Sequence, residues 1–134
     1  MSHAGGPRLF LLFNHRMGPQ QAAQAREELG VREIVSPPPE LQARWGQVPP
    51  ELPGLQDYLA PLRDWLAKEA LPGDYVLIQG DFGATYLMVR FAMERGLIPV
   101  YATTRREAQE TVQPDGAVRL THSFRHQRFR RYGD

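Results

Sequence analysis

The sequence predicts an α/β fold: a small parallel sheet with flanking helices and a C-terminal antiparallel β-hairpin. Three observations predict it. Short apolar runs of strand length alternate with longer segments of helical periodicity. Pro or Gly punctuates most junctions between them. Near the end, Asp115-Gly116 separates two extended runs, which is a hairpin signal. Alternation of strand and helix is the signature of parallel strands joined by right-handed crossovers, a Rossmann-like layout.

Each element has its own warrant. Leu9 to Phe13 is continuously apolar, as expected of a strand buried on both faces, and Asn14-His15 end it. Gly18-Pro19 opens a helix, since Pro is tolerated in the first turn. That helix runs through Gln20 to Leu29, with Gly30 as its stop. Val31 to Val35 is a second short strand, closed by Pro37-Pro38-Pro39. Glu40 to Trp45 fits a short helix that Pro49-Pro50 breaks. Leu52 to Ala70 reads as one helix with Leu55, Leu59, Leu62 and Leu66 on a broad face. Pro61 should kink or split it. After the turn Pro72-Gly73-Asp74 comes a third strand, Tyr75 to Gln79. Ala84 to Arg95 is a largely buried helix stopped by Gly96. Ile98 to Ala102 is the fourth strand, ending in Thr103-Thr104-Arg105-Arg106. The hairpin pairs Glu107–Val112 with an arginine-rich strand, Ala117–Phe129.

Length and composition bound the function. The 134 residues suit a single domain, 1–134, with one core. There is no cysteine, so no disulfide framework and no thiolate metal site. The longest apolar run, Leu9–Phe13, is too short for a membrane span or a signal segment, so a cytoplasmic protein is expected. Net charge is only +1, yet residues 117–132 hold five arginines and no acid. Arginine offers a fixed fork to phosphate or carboxylate, whereas a coding bias towards arginine is the plainer explanation.

Ligands of open parallel sheets bind at the carboxyl ends of strands. Three such ends carry polar residues: Asn14-His15, Gln79-Gly80-Asp81 and Thr103-Thr104-Arg105-Arg106. The central candidate is Gly80-Asp81-Phe82-Gly83-Ala84-Thr85. Its glycines would let backbone approach a ligand, and a helix N-terminus near Gly83 favours an anion. The plainer reading is a strand-to-helix turn with Asp81 as N-cap. It matches neither a dinucleotide fingerprint nor a Walker loop, so no nucleotide cofactor is expected. His15 has the chemistry to move a proton near neutral pH, though a surface histidine is the ordinary alternative. Arg105 and Arg106, after two threonines, suit phosphodiester oxygens or a solvated turn. Phe82, Tyr86 and Tyr101 have rings for base stacking, with core packing the alternative for Tyr101. His122 and His126 share one side of the last strand, but without a third ligand no metal site is expected. His3 is assigned to a disordered end.

The segments "LFLLFNH", "QGDFGATYLMV", "GLIPVYATTRRE" and "FRHQRFRRYG" resemble the small accessory proteins of type III CRISPR loci, Csx series, most closely the Csx-twenty type. The resemblance runs from Leu9 to Gly133. It implies a Rossmann-like domain related to the CARF domain, and binding of a cyclic oligoadenylate, above all cyclic tetra-adenylate. It also implies cleavage of that messenger as a ring nuclease. A near two-fold ligand implies a homodimer, for which Pro49 to Tyr58 is a candidate surface.

The residue roles are assigned on physical grounds. His15, Asn14 and Arg105 are the catalytic candidates. Gln79, Gly80, Asp81, Phe82, Gly83, Ala84, Thr85, Thr103, Thr104 and Arg106 are the binding candidates. No metal is needed when a ribose 2′-OH attacks its own 3′-phosphate, because the protein only positions groups and stabilises charge. No DNA or membrane partner is expected. The rivals are a sensor or sponge that binds the ring without cutting it, and an enzyme acting on a phosphorylated metabolite.

Overall fold

A computed structural model describes residues 5–134, so His3 lies outside the described part. The elements run β1 (Arg8–Phe13), α1 (Pro19–Leu29), β2 (Glu33–Val35), α2 (Pro39–Gly46), α3 (Ala60–Glu69), β3 (Tyr75–Gln79), α4 (Phe82–Glu94), β4 (Ile98–Val112) and β5 (Val118–Arg131). They form one five-stranded sheet in the order β2-β1-β3-β4-β5. Strands β1 to β4 are parallel and β5 is antiparallel to β4. This is a doubly wound order whose reversal falls between β1 and β3.

Burial on both faces explains the unbroken apolar runs. Leu9, Leu11, Phe13 and Leu77 pack on one face with Ala25 of α1. Phe10, Leu12, Val76 and Ile78 pack on the other, against Trp45, Leu62, Leu66, Ala84 and Met88 of α2, α3 and α4. Helix α1 stops where expected, because Gly30 takes a left-handed conformation (φ 67) and its N–H closes onto Arg26 O.

Two expectations need correction. Leu52 to Ala70 is not one kinked helix: α3 begins at Ala60, with Pro61 in its first turn. Pro61 starts the helix because its missing N–H falls where no intrahelical partner is needed. The second correction concerns Thr103-Thr104-Arg105-Arg106, which do not end a strand. Strand β4 runs on through them to Val112, paired with β5 from Val100↔Arg131 to Val112↔Val118. Threonines suit a pleated ladder. The register shifts between Thr103 and Thr104. There the Thr103 hydroxyl donates to Arg128 O at 3.1 Å and accepts from Arg128 N at 3.2 Å.

One buried carboxylate ties the amino edge of the sheet together. Asp74 is wholly buried. It accepts from Arg8 N (3.0 Å), where β1 starts, and from Leu71 N (2.9 Å) in the preceding turn. The Arg8 guanidinium lies 3.6 Å from the same carboxylate. The Asp74 carbonyl accepts from Ile98 N at 2.9 Å, at the start of β4. Removing one partner of a buried charged pair typically costs about 3–5 kcal/mol. Asp74→Ala should therefore lower the unfolding free energy by about that much, read from the urea midpoint; a loss under about 1 kcal/mol would contradict this role.

Candidate functional site

The carboxyl ends of β1 and β3 lie side by side, since Phe13 pairs with Gln79. In doubly wound sheets a crevice opens at this reversal. Here α2 lies across it. Trp45, buried, donates from Nε1 to Gln79 O at 3.0 Å. Gln42 of the same helix donates from Nε2 to Phe13 O at 2.7 Å. A Cβ on Gly80 would stand 2.9 Å from Trp45 Nε1 and 3.0 Å from Cε2. The space that Gly80 leaves is thus taken by an indole, which corrects its reading as an approach for a ligand. Asp81 caps α4, accepting from Ala84 N at 2.9 Å, as the plainer reading held.

Filling the crevice divides the rim into two hollows. The larger, about 620 Å³, lies at the ends of β1 and β2 on the α1 side. Its walls include Asn14, His15 and Arg16 after β1, Arg26 from α1, Ser36 after β2 and Gln42 from α2. Leu11, Phe13, Met17 and Ile34 add apolar surface. No aspartate or glutamate lines it. Two arginines without a lining carboxylate make an electropositive site suited to an anion, with the imidazole of His15 beside them. The His15 ring stands edge-on to Phe13, with centroids 5.5 Å apart.

The smaller hollow, about 280 Å³, is lined by Gln79, Gly80, Phe82, Thr85, Tyr101 and Tyr132. Phe82, the first residue of α4, is 94% exposed. The Tyr101 and Tyr132 rings lie 4.8 Å apart. Tyr132 donates its hydroxyl to Ile78 O at 2.6 Å. Burial, and then neighbouring Tyr101, hold the Tyr132 phenol above its ordinary range, so it stays a neutral donor. The Thr85 hydroxyl is buried without a hydrogen-bond partner.

Comparison with known proteins places this architecture among relatives. The profile of the "Uncharacterized protein MJ1673 family" matches residues 7–130. The chain belongs to this family. It is 47% identical over 126 residues to the "Uncharacterized protein MJ1673" of Methanocaldococcus jannaschii, covering 94% of this chain and 97% of that protein. No solved structure matches. The matched span includes all of the rim residues described above except Tyr132.

Within this MJ1673-family framework the expected residues separate. Asn14 and His15 line the larger hollow, while Gln79, Gly80, Phe82 and Thr85 line the smaller one. Asp81, Gly83 and buried Ala84 belong to the cap and first turn of α4. Thr103, Thr104, Arg105 and Arg106 line neither hollow. They stand on the ribbon, Arg105 opposite Arg125 and Arg106 donating from Nε to His122 Nδ1 at 3.3 Å. His126 is buried beside Glu28, 3.5 Å away. Among the described residues no group of three or more His, Asp or Glu is placed to hold a metal ion, and no helix is long and apolar enough to cross a membrane.

Sequence reasoning missed Arg16, Arg26, Gln42 and Tyr132. Arg16 was within reach, being next to His15 at a strand end. The other three arrive through tertiary packing of α1, α2 and the chain after β5. Gly80→Ala should destabilise the fold by about 1–3 kcal/mol, because a methyl group must displace the indole. Chemical denaturation measures this, and an unchanged midpoint would show that the indole yields freely.

Proposed function

We propose that the protein binds and cleaves cyclic oligoadenylate, with cyclic tetra-adenylate its substrate, and so ends type III CRISPR signalling in the cytoplasm. The observation that carries this reading is the acid-free hollow in which His15 stands with Arg16 and Arg26. Such a wall favours phosphodiester groups through charge-assisted hydrogen bonds. A hollow of about 620 Å³ lies within the usual ~300–1,000 Å³ of small-ligand sites. It takes part of a four-nucleotide ring, so two protomers related by a dyad share the ligand. The anion-binding role expected of Arg105 and Arg106 passes to Arg16 and Arg26.

In the proposed step a ribose 2′-OH attacks the adjoining phosphorus in line. Its proton goes to the His15 imidazole as the O2′–P bond forms. The P–O5′ bond breaks, and the departing 5′-oxygen takes a proton from water. The product is a linear oligonucleotide ending in a 2′,3′-cyclic phosphate. Arg16 and Arg26 stabilise the charge that builds on the phosphate oxygens. Asn14 hydrogen-bonds ribose or base, and exposed Phe82 offers a stacking face in the neighbouring hollow.

One observation favours the second reading, binding without cleavage: among the described residues no hydrogen bond orients the His15 ring, which stands edge-on to Phe13. Chromatography of cyclic tetra-adenylate after incubation with the protein and EDTA separates the two. We expect a linear product with the chelator present; strict dependence on an added divalent ion would overturn the mechanism. General acid–base help is worth ~10²–10⁴ in rate, so His15→Ala should slow single-turnover cleavage at least ~100-fold with binding nearly intact. A rate within about threefold of wild type would leave positioning alone as the source of catalysis.

Affinity tests the arginines separately. Arg16→Ala and Arg26→Ala should each weaken cyclic tetra-adenylate roughly ten- to a hundredfold, as expected for lost charge-assisted bonds of ~1.5–3 kcal/mol. Wild-type calorimetric affinity in both variants would move the ligand out of this hollow.

A further inference from the structure

We propose that the β4–β5 ribbon is the surface through which two copies of this chain associate, face to face and antiparallel. The inference rests on the proposed homodimer but not on its substrate. It starts from the pairing of the ribbon. Successive side chains of a strand point to opposite faces. On the face that continues the α1 side of the sheet, the ladder sets Arg106 beside Phe124, Ala108 beside His122, Glu110 beside Leu120, and Val112 beside Val118. Nearer the body, the same face carries His126, which meets Glu28 of α1, and buried Phe129.

The apolar face therefore runs out from under its covering helix. Phe124 (69% exposed), Leu120 (54%), Val118 (62%) and Val112 (71%) stand open to water. Single exposed apolar residues are ordinary, but four on one side of a projecting ribbon are a patch that calls for a partner. A two-stranded ribbon alone is only marginally stable, so a cover on this face also stabilises the strands.

A second copy is the occupant that the charges select. Arg106 and Glu110 lie on this face roughly 13 Å apart along the strand, with small Ala108 midway between them. A dyad passing at Ala108 brings each Arg106 against Glu110 of the other copy. The same operation sets Phe124 over Leu120 of the other copy, and the tip valines over the other copy's ribbon root. The face is isologous in both charge and shape. A nucleic acid would instead choose the opposite face, which holds Arg105, Arg119 and Arg125. An acid in the middle of the apolar face disfavours an anionic membrane.

The parallel strands fix where this dimer sits. β4 leaves the body at the same carboxyl edge on which both hollows open, so antiparallel ribbons set the hollow-bearing edges of the two copies facing each other across the paired ribbons.

Analytical ultracentrifugation of the ligand-free chain at micromolar concentration tests the surface. Wild type should be a dimer. Phe124→Asp and Leu120→Asp should be monomers with unchanged far-UV circular dichroism, since both residues are exposed. R106E and E110R should each raise the dimer Kd at least ~tenfold, and the double variant should regain dimerisation. A monomeric wild type, with or without phosphatidylserine vesicles or single-stranded RNA bound to it, overturns the proposal, as does a dimer indifferent to both aspartate variants. A dimer with no action on cyclic tetra-adenylate refutes the proposed function alone. Cleavage by a monomer refutes this surface and the sharing of one ring by two protomers, and leaves the cleavage itself standing.

Discussion

The Trp45 indole occupies the position from which the rest of the rim takes its shape. A doubly wound sheet leaves a crevice where its strand order reverses, and a buried indole N–H must find an acceptor. Both requirements are met by one contact, Trp45 Nε1 to Gln79 O, and that contact is possible only because residue 80 has no side chain. The indole in turn holds α2 across the ends of β1 and β3, where Gln42 bonds Phe13 O. Open space is displaced to either side. One hollow gathers the loop after β1 and the side of α1, the other the start of α4 and the tyrosines near β4. The crevice that such a sheet usually offers its ligand is here part of the core.

The second constraint is the two-sided burial of the parallel strands, which ends abruptly at the carboxyl edge. Below that edge β4 is covered on both faces, with Val100 fully buried. Above it β4 keeps the same alternation but has only β5 beside it. The ladder satisfies the backbone between the two strands and leaves the outer edge of β5 unpaired. Arginines along β5 give that edge a charge that resists pairing with further strands. The five arginines conspicuous in the sequence therefore have a structural use independent of any ligand. The register shift beside Thr103 marks where the sheet becomes a ribbon.

Much of the fold was legible because local signals agreed with tertiary outcome. Leu9–Phe13 and Tyr75–Gln79 could be read as doubly buried strands from continuity alone, and Gly30 stops α1 through a conformation glycine favours. The misreadings came where one residue type serves two structures. Helical periodicity on both sides of Pro61 leads the sequence to expect a kink or a split there, yet the same ring geometry suits a first turn. Thr103 to Arg106 looked like a polar strand end, since the hairpin signal at Asp115-Gly116 marks the turn but not how far the ladder runs back from it. The site was legible in part for the same reason. Asn14 and His15 could be placed from the end of β1 alone, whereas the position of Gln42 depends on where Trp45 packs.

Charge on the rim follows from what the acids are doing elsewhere. The chain is nearly neutral, so an acid-free wall requires that nearby carboxylates be engaged or distant. Asp74 is buried at the opposite edge of the sheet, holding the starts of β1 and β4. Asp81 is engaged in capping α4, where it accepts from Ala84 N. Glu28 of α1 accepts from Phe129 N and faces His126, away from the wall that Arg26 supplies two residues earlier. Their charge is thus kept from cancelling that of Arg16 and Arg26, which line the larger hollow. The same sorting recurs on the ribbon, where Glu107 lies within 4.0 Å of Arg125 on the polar face and Glu110 stands on the apolar one. Net charge is a poor guide to this protein because structure, rather than composition, decides which charges remain available to a ligand.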